Sequence, residues 1–195
     1  MIMWFSQDSS DLYKCKCSRR SFLKLGVFAA GATLLPFPTF ATTRDSVSPE
    51  RSLSFYNVHT GESLDTFYWY EGSYISSALA EFNYMLRDFR TDEIKPIDIR
   101  LLDFLHDIRM KLESPDPFYI VSGYRSPATN ALLRKSRNGV AKNSLHIHGK
   151  AADIYMPTVK LSSLQQAAMD LRTGGVGYYP GNSFIHLDVG PVRYW

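Results

Sequence analysis

Three ionisable side chains sit where the chain is otherwise apolar, and their placement limits the possible folds more than any other feature. Asp153 interrupts Ala151-Ala152-Asp153-Ile154-Tyr155, and His186 and Asp188 interrupt Phe184-Ile185-His186-Leu187-Asp188-Val189. Both runs read as strands of a packed sheet. A carboxylate carried into such a strand is costly unless a cation or hydrogen-bond donors meet it. Strand alternation puts His186 and Asp188 on one face. His146 lies upstream in Ser144-Leu145-His146-Ile147-His148-Gly149-Lys150, a loop rich in small and polar residues. Together His146, Asp153 and His186 make a three-ligand shell for a divalent zinc with one position left for water, the arrangement catalytic zinc requires. Asp188 is then close enough either to orient His186 or to take a proton as general base. His148 competes with His146, because the two share a face if that segment is extended. His59 and His106 read as a hairpin-turn residue and a helix-surface residue, with no chemistry attached.

The first residues belong to another problem. Ser18-Arg19-Arg20-Ser21-Phe22-Leu23-Lys24 is a twin-arginine pattern leading into the apolar run Leu25 to Leu35, and Thr39-Phe40-Ala41 offers small residues where a signal peptidase reads. Residues 1–41 are therefore expected to be a twin-arginine signal peptide cleaved after Ala41, which places the mature protein in the periplasm with no stable membrane insertion. The leader holds five of the 22 basic and two of the 19 acidic residues, leaving 17 of each. A formally neutral mature chain lacks the basic surplus of a nucleic-acid binder. Cys15 and Cys17 also lie in the leader, so the mature chain has no thiol, which excludes a disulfide framework and a cysteine nucleophile.

Residues 42–51 read as a flexible lead-in and 52–195 as one domain, long enough to bury a real core. Leu53 to Val58 and Ser63 to Tyr70 are β-prone runs around the turn His59-Thr60-Gly61-Glu62. Helical spacing predicts helices over Ser73 to Phe89 and Asp98 to Leu112, the second burying Ile99, Leu102, Leu105, Ile108 and Met110. Pro117 to Val121 reads as a central strand, Ala128 to Ser136 and Leu161 to Leu171 as helices, and Ala151 to Tyr155, Val176 to Tyr179 and Ser183 to Val189 as strands. Helices come first and strands dominate the second half, so an α+β fold is expected. Arg125, after Ser122-Gly123-Tyr124 at the end of the central strand, can hold a substrate carboxylate or a developing oxyanion; its plain alternative is a structural salt bridge. Tyr178 and Tyr179 are weaker candidates for lining a cleft.

Ser122-Gly123-Tyr124-Arg125-Ser126, the Ser144 to Asp153 segment, Gly174-Gly175-Val176-Gly177-Tyr178-Tyr179-Pro180 and Phe184 through Trp195 resemble the periplasmic murein endopeptidases among the D-alanyl-D-alanine carboxypeptidase-like zinc peptidases. The resemblance covers nearly the whole mature chain. It implies zinc on His146, Asp153 and His186, a small antiparallel sheet with flanking helices, and hydrolysis of peptide cross-links in peptidoglycan, including those made by diaminopimelate. Several relatives carry an acidic general base three residues before the last zinc histidine, where this chain has Ser183. Others carry a second histidine two residues from the ligand, where this chain has Asp188. Two other activities fit the same residues: a D,D- or L,D-carboxypeptidase trimming stem peptides, and a non-catalytic zinc-containing peptidoglycan-binding domain.

Overall fold

The computed structural model describes residues 50–136 and 139–195. The expected signal peptide and most of the lead-in lie outside the described residues. At the inner end of that lead-in, Arg51 is already part of the first strand.

The strands are β1 (Arg51–Asn57), β2 (Ser63–Tyr70), β3 (Ser73–Tyr74), β4 (Phe118–Ser122), β5 (Ala151–Tyr155), β6 (Gly175–Tyr179), β7 (Phe184–Asp188) and β8 (Arg193–Tyr194). The α-helices are α1 (Ser76–Met85), α2 (Ile99–Leu112), α3 (Pro127–Ser136) and α4 (Leu161–Leu171). They form one α+β domain around an eight-stranded sheet ordered β3-β2-β1-β4-β5-β7-β6-β8. The sheet is larger than expected and mixed: β1 pairs with β4, and β6 with β8, in parallel. The first parallel pairing follows from the connection: after β2 and β3 the chain leaves from the β3 edge, and α1 and α2 carry it across to the free edge of β1.

One sheet face is apolar and helix-covered. Leu53, Phe55, Phe118, Ile120, Ile154, Val176, Ile185 and Leu187 meet Phe82 and Met85 of α1, Leu101, Leu105 and Ile108 of α2, and Leu164 of α4 in a single core. Phe55 meets Phe82 edge-on at 5.1 Å between ring centroids. Burying one such side chain stabilises by about 1.5–3 kcal/mol, which is what fixes the register of each strand.

Two sequence expectations change. Met110 is 62% exposed, because the inward arc of α2 runs through Leu101, Leu102, Phe104, Leu105 and Ile108. The helix expected over Ser73 to Phe89 is shorter at both ends. Ser73 and Tyr74 pair with β2, and past Met85 the Leu86 carbonyl accepts the Tyr124 N–H at 2.7 Å, tying the helix end to the end of β4.

Candidate functional site

The opposite sheet face carries the ionisable residues. Register places Asp153 of β5 beside His186 of β7, and His186 beside Gly177 of β6. His146 arrives from outside the sheet on the short 3-10 turn Leu145–His148, whose Ser144 cap accepts the His146 N–H at 3.4 Å. The turn is held from two sides. Arg125 N–H donates to the His146 carbonyl at 3.2 Å, and Gly149, at φ 64°, lies so close to Pro96 that a β-carbon would sit 2.5 Å from its carbonyl oxygen.

His146 Nε2, His186 Nδ1 and Asp153 Oδ1 converge. Their separations are 3.1 Å between the imidazole nitrogens, 3.2 Å from His146 to Asp153 and 2.9 Å from His186 to Asp153. The outward partners decide where the ring protons sit. His146 Nδ1 lies 2.7 Å from the Gly123 carbonyl, which only accepts, so Nδ1 carries the hydrogen and Nε2 turns a lone pair inward. His186 Nε2 lies 3.0 Å from Asp188 Oδ2, so by the same reasoning Nδ1 is the inward lone pair. With Asp153 added, three lone pairs meet within 3.2 Å, an arrangement that repels itself unless a cation or a shared proton joins it. Ligands about 2.0–2.1 Å from a common tetrahedral centre lie roughly 3.3 Å from one another, so the donor set fits a metal ion.

Asp188 is fully buried and collects five N–H donors. Gly190 at 2.8 Å, Arg193 Nη1 at 3.1 Å and Gly175 at 3.3 Å meet Oδ1, while Arg193 Nη2 at 2.6 Å and His186 at 3.0 Å meet Oδ2. Burial opposes its charge, but the His186, Gly190 and Arg193 hydrogen bonds prevail and hold its pKa down at about 2. The expectation that Asp188 serves as general base is therefore corrected. Its acceptor positions are occupied and a whole imidazole separates it from the donor cluster, so it orients His186.

Charge in the cluster is set by competing terms. Burial lowers the His146 pKa despite Asp153. For His186 burial acts in the same sense, but hydrogen bonds to Asp153 and Asp188 outweigh it and raise the value to about 9. Asp153, whose burial is overcome by His146 and His186, stays ionised far below the usual carboxylate range. Arg125 adds a cation 3.5 Å from Asp153 Oδ2, with Ser122 and Asn130 each accepting from its guanidinium at 3.4 Å.

The cluster forms the floor of a cleft of about 480 Å³, whose walls include Arg125, Tyr179, Arg193 and Trp195. Tyr179 lines this cleft, whereas Tyr178 packs against the core. His148 is exposed and stays outside the cluster. His59 stacks on Phe89 at 3.8 Å, and His106 packs edge-on to Tyr68 at 6.3 Å instead of lying free on the helix surface. Ser183 is exposed and takes a left-handed turn at φ 60°.

Sequence reasoning missed Arg193 and Trp195. The Trp195 indole N–H donates to Tyr179 Oη at 2.8 Å, and its ring lies 5.4 Å from that of His186. A signal was present in the spacing of Gly175 and Gly177, since alternate glycines on one strand face mark a close approach. A β-carbon on Gly177 would lie 2.7 Å from the Trp195 ring, and one on Gly175 would lie 2.5 Å from Asp188 and 2.7 Å from Arg193.

Residues 45–195 match the peptidase family model described as "Peptidoglycan L,D-endopeptidase MepK". Proteins of that name from Escherichia coli and Shigella flexneri are each 43% identical over 182 residues, covering 93% of this chain and 99% of the relative. The "Probable peptidoglycan L,D-endopeptidase MepK" of Haemophilus influenzae is 38% identical over 179 residues, covering 91% of this chain and 95% of its own. This extent of likeness bears out the expected kinship with the murein endopeptidases of the D-alanyl-D-alanine carboxypeptidase-like group, and the chain belongs to the peptidoglycan L,D-endopeptidase MepK family of peptidases.

Proposed function

We propose that this protein is a zinc-dependent murein endopeptidase that hydrolyses peptide cross-links of peptidoglycan, with His146, Asp153 and His186 as the metal ligands. The observation that carries the reading is the convergence of three lone pairs within 3.2 Å on the floor of a cleft, in a chain of this family. The relatives' names specify L,D cross-links, which favours an amide joining an L to a D centre over a terminal D-alanine. Two imidazoles and one carboxylate suit zinc over harder cations, and the set leaves a coordination position for water.

Zinc, when bound, supplies Lewis acidity toward the scissile carbonyl and lowers the pKa of a water toward neutrality. The remaining work falls to the chain. The Gly123 carbonyl and Asp188 take the outer ring N–H groups of His146 and His186, which leaves His146 Nε2 and His186 Nδ1 as the atoms that would face a bound metal. Arg193, bidentate on Asp188, fixes that carboxylate behind His186. Arg125, on the cleft wall beside Asp153, presents a guanidinium to the negative charge that gathers on the carbonyl oxygen, or to a carboxylate of the stem peptide. Water adds across the amide: the C–N bond breaks, hydroxide joins the carbonyl carbon and the amine leaves with a proton. The twin-arginine pattern and the apolar run after it support export to the periplasm, where this substrate lies.

Mass spectrometry of purified cross-linked muropeptides after incubation tests the reading. The expected result is two monomers whose masses sum to the dimer plus one water. Loss of a terminal residue from an intact dimer indicates a carboxypeptidase instead, and unchanged dimer with retained sacculus binding indicates a binding domain.

A further inference from the structure

The open sheet face carries a second feature beside the cluster. Tyr56 of β1 pairs with Tyr119 of β4, Tyr119 pairs with Tyr155 of β5, and Phe184 of β7 pairs with Tyr179 of β6. Continuing the β5–β7 register by one residue sets Tyr155 against Phe184. Five aromatic side chains thus occupy one cross-strand row over five neighbouring strands, about 19 Å long at about 4.8 Å per strand. Adjacent rings lie 4.8 Å (Tyr56–Tyr119), 5.1 Å (Tyr119–Tyr155) and 4.9 Å (Phe184–Tyr179) apart. All five are partly exposed and none joins the core cluster, so core burial does not account for them.

We propose that this row is a docking shelf for the glycan strand of peptidoglycan, which presents the attached peptide to the cluster. The inference rests on the murein endopeptidase reading and deepens it. Continuity with the cleft argues for this occupant: Tyr179 and Phe184, at one end of the row, line the same cleft as His146, Asp153 and His186. The chemistry agrees. The row is uncharged, its ring faces suit the axial C–H faces of pyranoses, and tyrosine adds a hydroxyl beside each apolar ring. Ring-to-ring spacing is close to the pitch of successive sugars in a β-1,4-linked chain. Asp153 and His186 lie one strand repeat from Tyr155 and Phe184, roughly 7 Å, which two or three extended peptide residues span.

Tyr56, Tyr119 and Tyr155 are the residues to change, being outside the proposed metal and catalytic machinery. The variants are Tyr119→Ser with Tyr155→Ser, the single Tyr56→Ser at the far end, and Tyr119→Phe with Tyr155→Phe as the ring-retaining control, each checked by thermal melting. Cleavage is measured on intact sacculi and on a glycan-free cross-linked peptide dimer. Co-sedimentation with sacculi is measured separately, with chelator present to stop cleavage. The serine variants are expected to lose about fivefold or more in sacculus cleavage and binding, the scale of truncating an anchoring interface aromatic. The dimer rate stays at the wild-type level, and the phenylalanine variant behaves as wild type on sacculi. Equal losses on both substrates, or none on either, overturn the proposal. If wild type cuts neither substrate the hydrolase reading fails, while co-sedimentation still decides the shelf: unchanged sacculus binding by folded serine variants rejects it.

Discussion

Replacing Asp188 by asparagine separates the role of charge and proton placement from that of shape. All five groups facing this carboxylate are N–H donors, three on Oδ1 and two on Oδ2. An amide keeps the three when its nitrogen takes the Oδ2 position, and that nitrogen then points hydrogens at Arg193 Nη2 and at His186 Nε2–H. The least costly relief is for His186 to move its proton to Nδ1 and accept from the amide through Nε2. Nδ1–H then points at Asp153 Oδ1, 2.9 Å away, and the lone pair needed for a metal is gone. Losing an orienting partner of this kind costs about 10–100-fold in metal affinity. Leaving Arg193 one acceptor short adds about 1–3 kcal/mol of destabilisation at most, since that side chain is 43% exposed. Zinc competition against a chromogenic chelator measures the affinity, and nitrogen NMR of the labelled imidazole reports the tautomer. Asp188→Asn is expected to bind zinc at least about tenfold more weakly and, in metal-free protein above pH 9 where the wild-type His186 is neutral, to show the Nδ1–H form. Wild-type affinity, or an unchanged Nε2–H tautomer, would refute the reasoning about the five donors.

His146→Ala and His186→Ala are each expected to remove metal and cross-link cleavage together; metal analysis by mass spectrometry that finds a full equivalent in either variant argues against the assigned ligands. Gly123→Ala brings a β-carbon to 2.4 Å from the Leu86 carbonyl oxygen and disturbs the carbonyl that orients His146, so a loss of about 1–3 kcal/mol in denaturant unfolding is expected along with weaker metal binding. Gly181→Ala, with nothing within 4 Å of the added carbon, is the control and should stay within about 0.5 kcal/mol of wild type. In metal-free protein His186 has a folded pKa of about 9, above the ordinary 6.5, so its protonation stabilises fully below pH 6.5 and that contribution is lost as pH rises through 9. Thermal melts in chelator should therefore fall across pH 6.5–9, by the equivalent of roughly 3 kcal/mol at about 1.4 kcal/mol per pKa unit, and saturating zinc should abolish that slope.

Much of the site was readable from residue order alone. The apolar neighbours of Asp153 and His186 marked both as buried polar groups in strands, and β5 falls on Ala151–Tyr155 as the pattern indicates. Strand alternation also placed His186 and Asp188 on one face. The role of Asp188 was not readable, because it depends on donors from Gly175, Gly190 and Arg193, brought together only when β6 and the last residues fold around β7. His148 competed with His146 on spacing; the 3-10 turn, the Gly123 carbonyl and the crowding of Gly149 against Pro96 bring His146 into the cluster and leave His148 outside it.

The sequence by itself determined most of the strands and helices, though not the short β3 and β8, and which residues of ligand type share a strand face, because these follow from local periodicity and the cost of burying charge. Only the tertiary structure decided the parallel pairing of β1 with β4, the lone pairs that His146 and His186 turn inward, and the alignment of five aromatic rings in one row. Each of these depends on partners distant in sequence, and register between such partners is set by packing the whole core at once.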